Sequence, residues 1–315
     1  MKRNALIGWT GFVGGNLVNP DLYQDQYNSS NIEEIVGKDY DLVVCAGVKS
    51  AMWLANNEPE RDLAEIVALI RKLEQCKIGK LVWISTVAVY PDDGGAYSEE
   101  THVFETQLAY GLNRRKAELM VAERFPGHCI IRLPALFGKG LKKNLIFDLT
   151  NRVPGFLKAS VIESLESLAD AKALRKIQDT YHFDAGTSMF KYDAAADSDV
   201  AETEAILKRV GVSVLDFTNS ESRFQYYNLA NLQRDIERAL ELDLHELNLC
   251  SEPLSGAEIV ESLTGNAFTN TGARKYLWDV RSVHATHWNQ ESSYLYSRSE
   301  IINDLKDYYR KHLRS

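Results

Sequence analysis

One feature of this sequence limits its fold more than any other. In the first 150 residues, short apolar runs recur with helix-length stretches between them. ALIG (Ala5–Gly8), DLVVCAG (Asp41–Gly47), KLVWIST (Lys80–Thr86) and CIIRLPA (Cys129–Ala135) each have the length and apolar content of a buried strand. Asn57–Ile78 and Gly111–Arg124 between them carry helical length and periodicity. Strands alternating with helices need crossover connections, which are right-handed and build a parallel sheet covered on both faces. The expected class is therefore α/β with a doubly wound parallel sheet.

From about Gly155 the pattern changes. Lys158–Arg175 and Ala194–Val210 read as polar helices on either side of TYHFDAGTSMFKYD, which marks a helical insert near residues 155–212. NSESRFQYYNLANLQRDIERALE then returns as strand, turn and helix. LHELNLCSEPLSGAEIVESL adds a strand and a helix with Ser255 as N-cap and Glu258 at the capping-box distance. The last amphipathic helix opens with a similar pattern, Ser297 to Glu300. This reading divides the chain into a domain over 1–150, with sheet elements returning near 214–250, and a smaller carboxyl-terminal lobe over 151–315 that holds the insert.

Composition narrows the function. The 315 residues are 45% hydrophobic and 25% charged, ordinary values for a folded domain with a sizeable core. The net charge of −8 argues against nucleic-acid and membrane-surface partners, both of which need basic patches. Cys45, Cys76, Cys129 and Cys250 are widely spaced with no CxxC pair, which gives neither zinc spacing nor a disulfide framework. His284 and His287 stand three apart without an evident third ligand, so no metal is expected. The amino terminus does not have the form of a signal peptide and no run is long enough for a membrane span, so the expected location is the cytoplasm.

Chemistry begins at RNALIGWTGFVGG. Gly8, Gly11 and Gly14 follow a strand and open a helix near Phe12, a context that lets backbone amides approach a pyrophosphate closely. Thr10, Phe12 and Val13 share that turn with the glycines as cofactor-binding candidates. A hydroxyl at the end of KLVWIST faces the crevice where open α/β sheets bind ligands. Tyr110 heads a helix, and a phenol can exchange a proton with a sugar hydroxyl during hydride transfer if a nearby cation lowers its pKa.

With these motifs in this order, the chain resembles the extended short-chain dehydrogenases/reductases, which act mostly on nucleotide sugars. Gly8-x-x-Gly11-x-x-Gly14 matches the family's glycine motif, and VVCAG stands where a strand ends in small residues beside the cofactor, here Ala46 and Gly47. ISTVAVY resembles the strand ending in the catalytic Ser/Thr, with Thr86 at that position and Ser85 before it. Tyr110 opens a stretch like YGxSK…E that ends at Glu118, and RLPALFGKG resembles a run that places Pro134 near the nicotinamide. KKNLIFDL is similar to the segment that contacts the sugar-nucleotide diphosphate, which implies Asn144 and Leu145. Arg223 stands near the position of an arginine that meets a substrate phosphate. The resemblance implies a Rossmann-type sheet with a substrate lobe, and roles for Thr86, Tyr110 and Arg114 in catalysis. One departure is clear: the family has lysine four residues after the tyrosine, and this chain has Arg114, a wider planar cation that cannot shuttle a proton.

The resemblance also bears on cofactor and reaction. The second strand is expected to end at Asn28, Ser29 and Ser30, where NAD-binding members usually carry an acid; neutral groups there favour NADP(H) over NAD(H). The same NSSN stretch also reads as a turn and helix cap. Val87 and Ala88 follow Thr86 where dehydratases place acids, so a 4-epimerase or a keto-sugar reductase is expected instead. The partner would be a small-molecule nucleotide sugar, in a possible homodimer. A cofactor-binding sensor or complex subunit without catalysis is the alternative that Arg114 leaves open.

Overall fold

The protein is described by a computed structural model over residues 3–151, 153–168, 170–185 and 187–313. The chain divides into two compact units. One comprises Met1–Leu141, Arg223–Leu254 and Tyr276–Ile301, and the other Lys142–Ser222, Ser255–Lys275 and Ile302–Ser315. The chain thus leaves the first unit at Leu141, before the expected limit at 150, and Tyr276–Ile301 returns to it.

The first unit contains β1 (Asn4–Ile7), α1 (Phe12–Gly15), β2 (Asp25–Tyr27), β3 (Asp39–Cys45), α2 (Met52–Asn57), α3 (Pro59–Leu73), β4 (Lys77–Thr86), α4 (Ala109–Arg124), β5 (His128–Leu133) and β6 (Ala135–Phe137). Its second segment adds β10 (Arg223–Phe224), β11 (Tyr226–Asn228), α9 (Leu232–Glu241) and β12 (Glu246–Asn248). Among the described residues, six strands form a parallel sheet in the order β12-β5-β4-β3-β1-β2. Registers such as Ile7 with Cys45, Cys45 with Trp83, and Thr86 with Leu133 align the carboxyl ends of the strands along one edge. The order reverses between β1 and β3, the switch point at which such sheets hold ligands.

Apolar runs become strands here because both sheet faces are covered. Ala5, Leu6, Val43, Val44, Leu81, Val82, Ile130 and Ile131 are fully buried, each aliphatic side chain stabilising the fold by roughly 1.5–3 kcal/mol. Helix α3 shows why its sequence is helical: Pro59 takes its first position, Glu60 and Asp62 sit in the first turn and Arg71 and Lys72 in the last, as the helix dipole favours. Its apolar stripe of Ile66, Ile70 and Leu73 joins a core with Trp83, Ala117 and Val121.

The expected helix after the glycine turn starts at Phe12 but ends at Gly15. Gly14 and Gly15 are poor helix formers, and Asn16 ends the turn by donating its side-chain amide to Phe12 O at 2.8 Å and Lys139 O at 2.9 Å.

The second unit holds α5 (Leu145–Thr150), β7 (Phe156–Leu157), α6 (Ala159–Leu168), α7 (Ala171–Thr180), β8 (Tyr181–Asp184), β9 (Met189–Tyr192), α8 (Val200–Arg209) and α10 (Gly256–Thr264). Within TYHFDAGTSMFKYD, β8 and β9 pair antiparallel, with β7 beside β9. The region around the insert has its own core, in which Leu157, Leu165, Ile177, Tyr181, Ile206 and Leu207 pack together. Ser255 and Glu258 form the expected capping box of α10, with bonds of 3.1 and 2.7 Å. Helix α11 (Arg298–His312) opens the same way, the Ser297 amide donating to Glu300 Oε2 at 2.7 Å.

Candidate active site

Parallel strands deliver their carboxyl ends to one edge, so residues distant in sequence become neighbours there. Gly8 follows β1, Asn28 follows β2, Ala46 and Gly47 follow β3, Thr86 closes β4 and Pro134 follows β5.

At Gly8 the chain takes φ +85°, and a Cβ would stand 2.3 Å from Ala46 O; at Gly14 it would stand 2.2 Å from Gly8 O. Both glycines are therefore required by the packing of the turn itself. Gly11 is exposed with Thr10, and the Gly11 amide donates to Gly8 O at 2.9 Å. Phe12 and Val13 are half-buried. The turn and switch point fit a dinucleotide. Its phosphates would meet a short backbone turn rather than the end of a long helix.

Thr86 and Tyr110 converge at the end of β4. Thr86 Oγ1 accepts from the Ala88 amide at 3.2 Å, and the Thr86 side chain is near enough to the Tyr110 phenol to favour its ionised form. Tyr110 is 7% exposed at the head of α4, its amide donating to Asn56 Oδ1 at 2.8 Å. The Arg114 guanidinium lies over the Tyr110 ring, 4.1 Å from its centroid. Arg114 Nη1 donates to Asp62 Oδ2 at 2.5 Å and Nη2 to the Lys49 carbonyl at 2.5 Å. The three expected catalytic residues are thus together.

One expectation is corrected here. The Tyr110 phenol is raised above its ordinary pKa, because burial outweighs Arg114 and Thr86 while Asp62 opposes them. Ser85, expected beside the cofactor, alternates to the other face of β4. There its hydroxyl donates to Glu118 Oε1 at 2.6 Å.

Glu118 belongs to a fully buried ion pair. Arg132 meets it with Nε at 2.9 Å and Nη2 at 2.8 Å, then reaches Glu246 at 2.7 Å and the Tyr90 hydroxyl at 2.7 Å. Neither Glu118 nor Arg132 is exposed at all. An arginine inside the apolar run CIIRL was a signal for such a partner, since a charge is almost never fully buried unpaired.

The remaining candidates divide by location. Asn28 Oδ1 accepts from the Ser30 amide at 2.9 Å and hydroxyl at 2.6 Å, and the Asn28 amide donates to Asn31 Oδ1 at 2.8 Å. That is the geometry of a turn, without a side-chain cap on the short helical turn at Ile32–Ile35; Ser29 beside it is exposed. Pro134 is half-buried between β5 and β6, and Arg223 stands in the first unit with its amide bonded to Tyr276 O at 2.8 Å. Asn144 and Leu145 lie in the second unit: Asn144 caps α5, accepting from Ile146 and Phe147 amides at 3.0 and 3.1 Å, and Leu145 is buried.

A family profile described as the NAD dependent epimerase/dehydratase family matches residues 22–176, starting past the glycine turn. No curated protein sequence matches the chain. Solved structures do. UDP-N-acetylglucosamine 4-epimerase from Bacillus cereus is 14% identical, with 99% of each chain covered and a TM-score of 0.58. dTDP-4-dehydrorhamnose reductase from Bacillus anthracis, in complex with NADP, is 13% identical with 99% of each covered and a TM-score of 0.59. An NAD dependent NDP-hexosamine 5,6-dehydratase involved in tunicamycin biosynthesis is 12% identical, covering 100% of this chain and 99% of that one at 0.59. At these identities the likeness is one of fold, and it spans three reaction types.

Proposed function

The chain belongs to the NAD dependent epimerase/dehydratase family, and on that premise we propose that it reduces the keto group of a nucleotide-linked sugar, with NADP(H) favoured over NAD(H). The observation that carries the reading is the Tyr110 site. The phenol is buried with Arg114 over its ring, and its pKa is raised by burial, with Asp62 acting in the same direction against Arg114 and Thr86. A protonated phenol at neutral pH suits donation to a carbonyl oxygen better than abstraction from a hydroxyl. When bound, a nicotinamide cofactor would supply the hydride. Tyr110 gives its proton to the sugar oxygen that becomes the new hydroxyl, and the Thr86 hydroxyl orients that oxygen. The exposed Thr10–Gly11 turn offers backbone to the dinucleotide phosphates, and the neutral end of β2 leaves room for a 2′-phosphate. Val87 and Ala88 next to Thr86 supply no acid for dehydration. Arg223, in the same unit as Tyr110, is the proposed contact for a substrate phosphate.

The test uses NADPH and NADH carrying deuterium at C4 with a panel of nucleotide-linked 4-keto sugars. One-way reduction puts one deuterium into the sugar and leaves an equivalent of oxidised cofactor. Interconversion of two unreduced nucleotide sugars with no net cofactor oxidation would make the protein an epimerase instead. A non-catalytic, cofactor-binding role has one specific observation in its favour, the engagement of both Arg114 terminal nitrogens by protein partners. Binding of NADPH without turnover across the panel would support it.

A further inference from the structure

Asp62 has an ordinary reading in sequence, as one of the acids that favour the first turn of α3. Its surroundings are not ordinary. The side chain is 11% exposed, and two donors from α4 converge on its Oδ2: Arg114 Nη1 at 2.5 Å and Asn113 Nδ2 at 2.9 Å. Asn113 Nδ2 also reaches the Pro59 carbonyl at 2.9 Å, and Asn56 accepts the Tyr110 amide. The turn that carries Tyr110 is therefore fastened to α2 and α3 at three points. With Nη2 on the Lys49 carbonyl, the guanidinium is held over the Tyr110 ring.

We propose that Asp62 is a positioning residue for Tyr110: its carboxylate holds the Arg114 guanidinium over the phenol ring, so that Arg114 acts on Tyr110 as half of a neutral pair rather than as a bare cation. The proposal rests on the reading of Tyr110 as the proton donor. It also explains the departure from lysine. A planar fork can bridge a carboxylate and a carbonyl while lying over a ring, and a single ammonium nitrogen cannot.

The groups around the phenol are few. Arg114 faces it from its own helix, Asp62 from α3 and the Thr86 hydroxyl from β4. Glu105, on the segment before α4, bonds the Gln107 and Leu108 amides at 2.6 and 3.1 Å. Near Asp62, Lys49 pairs with Glu65 at 2.8 Å and Arg61 with Glu58 at 2.8 Å, all on exposed side chains that water screens. Asp62 is the anion whose removal would leave Arg114 unbalanced over Tyr110.

The experiment is a direct titration of Tyr110 by NMR in the full chain labelled with 13Cζ-tyrosine. Tyr110→Phe identifies the resonance among the 15 tyrosines. In Asp62→Asn the midpoint is expected to fall by about one pH unit, while Asp62→Glu, which keeps the charge, stays near the wild type. A midpoint unchanged by Asp62→Asn would overturn the proposal. If that variant does not fold, Arg114→Gln replaces it: Asp62 alone against the phenol should raise the midpoint, and an unmoved midpoint would overturn the proposal equally. The pH profile of sugar reduction is a separate arm. Its basic limb should move down with the NMR midpoint in Asp62→Asn. A shifted midpoint in a protein that reduces no nucleotide sugar would leave Asp62 in its role and remove the reductase reading.

Discussion

Helix α4 carries one buried and one largely buried ion pair four residues apart, and they serve different ends. At Glu118 the partner is Arg132, both are wholly buried, and further contacts go to Ser85, Arg115, Tyr90, Asn248 and Glu246. At Arg114 the partner is Asp62, and the guanidinium lies over the Tyr110 ring. The first pair sits in a network that includes Arg115 and ties α4 to β4, β5 and β12. The second lies against the side chain that would move a proton. Two ion pairs of similar chemistry are thus separated by what lies against them.

Substitutions can break or sharpen that contrast. The largest effect is expected at Tyr110: Tyr110→Phe should lower turnover by roughly 100-fold or more, as loss of a general acid does, with an unchanged melting curve. Next, Arg132→Met leaves Glu118 charged without its main partner and should destabilise by about 3–5 kcal/mol, read by urea unfolding. An equal loss of stability from Asp62→Asn would erase the distinction between the pairs. Gly8→Ala should also weaken folding, because its Cβ would meet Ala46 O at 2.3 Å in a left-handed backbone; thermal melts with and without NADPH measure this apart from cofactor affinity.

The smallest effect lies in the second unit. Burial alone pushes Asp148 up to about 7. A carboxyl raised in the folded state contributes stability that is full below its unfolded pKa, about 4, and is lost as pH rises towards 7. Asp148→Asn should therefore raise the melting temperature by a few degrees at pH 8 and lose that advantage at pH 4.

What sequence conveyed and what it withheld follow from the range of the interactions. Strands β1, β3, β4 and β5 and helix α4 were legible because their signal is local, an apolar run or a 3.6-residue period. The Ser255–Glu258 box was legible for the same reason. The short α1 was hinted at by Gly14-Gly15-Asn16, but its end depends on Lys139, more than a hundred residues away. Thr86, Tyr110 and Arg114 were recognisable as a motif. The Asp62 bond to Arg114 spans 52 positions and has no periodic or spacing signature. Ser85 and Thr86 are adjacent, and only the pleat of β4 sends one hydroxyl to Glu118 and the other towards Tyr110.

The central claim is that Tyr110 donates the proton in reduction of a nucleotide-linked sugar. NADPH consumption with a nucleotide-linked 4-keto sugar, followed side by side for the wild type and Tyr110→Phe at equal folded concentration, tests it most directly. The expected result is cofactor oxidation matched to sugar reduction in the wild type and near silence in the variant, with both proteins still binding NADPH. Equal rates in the two proteins would contradict it.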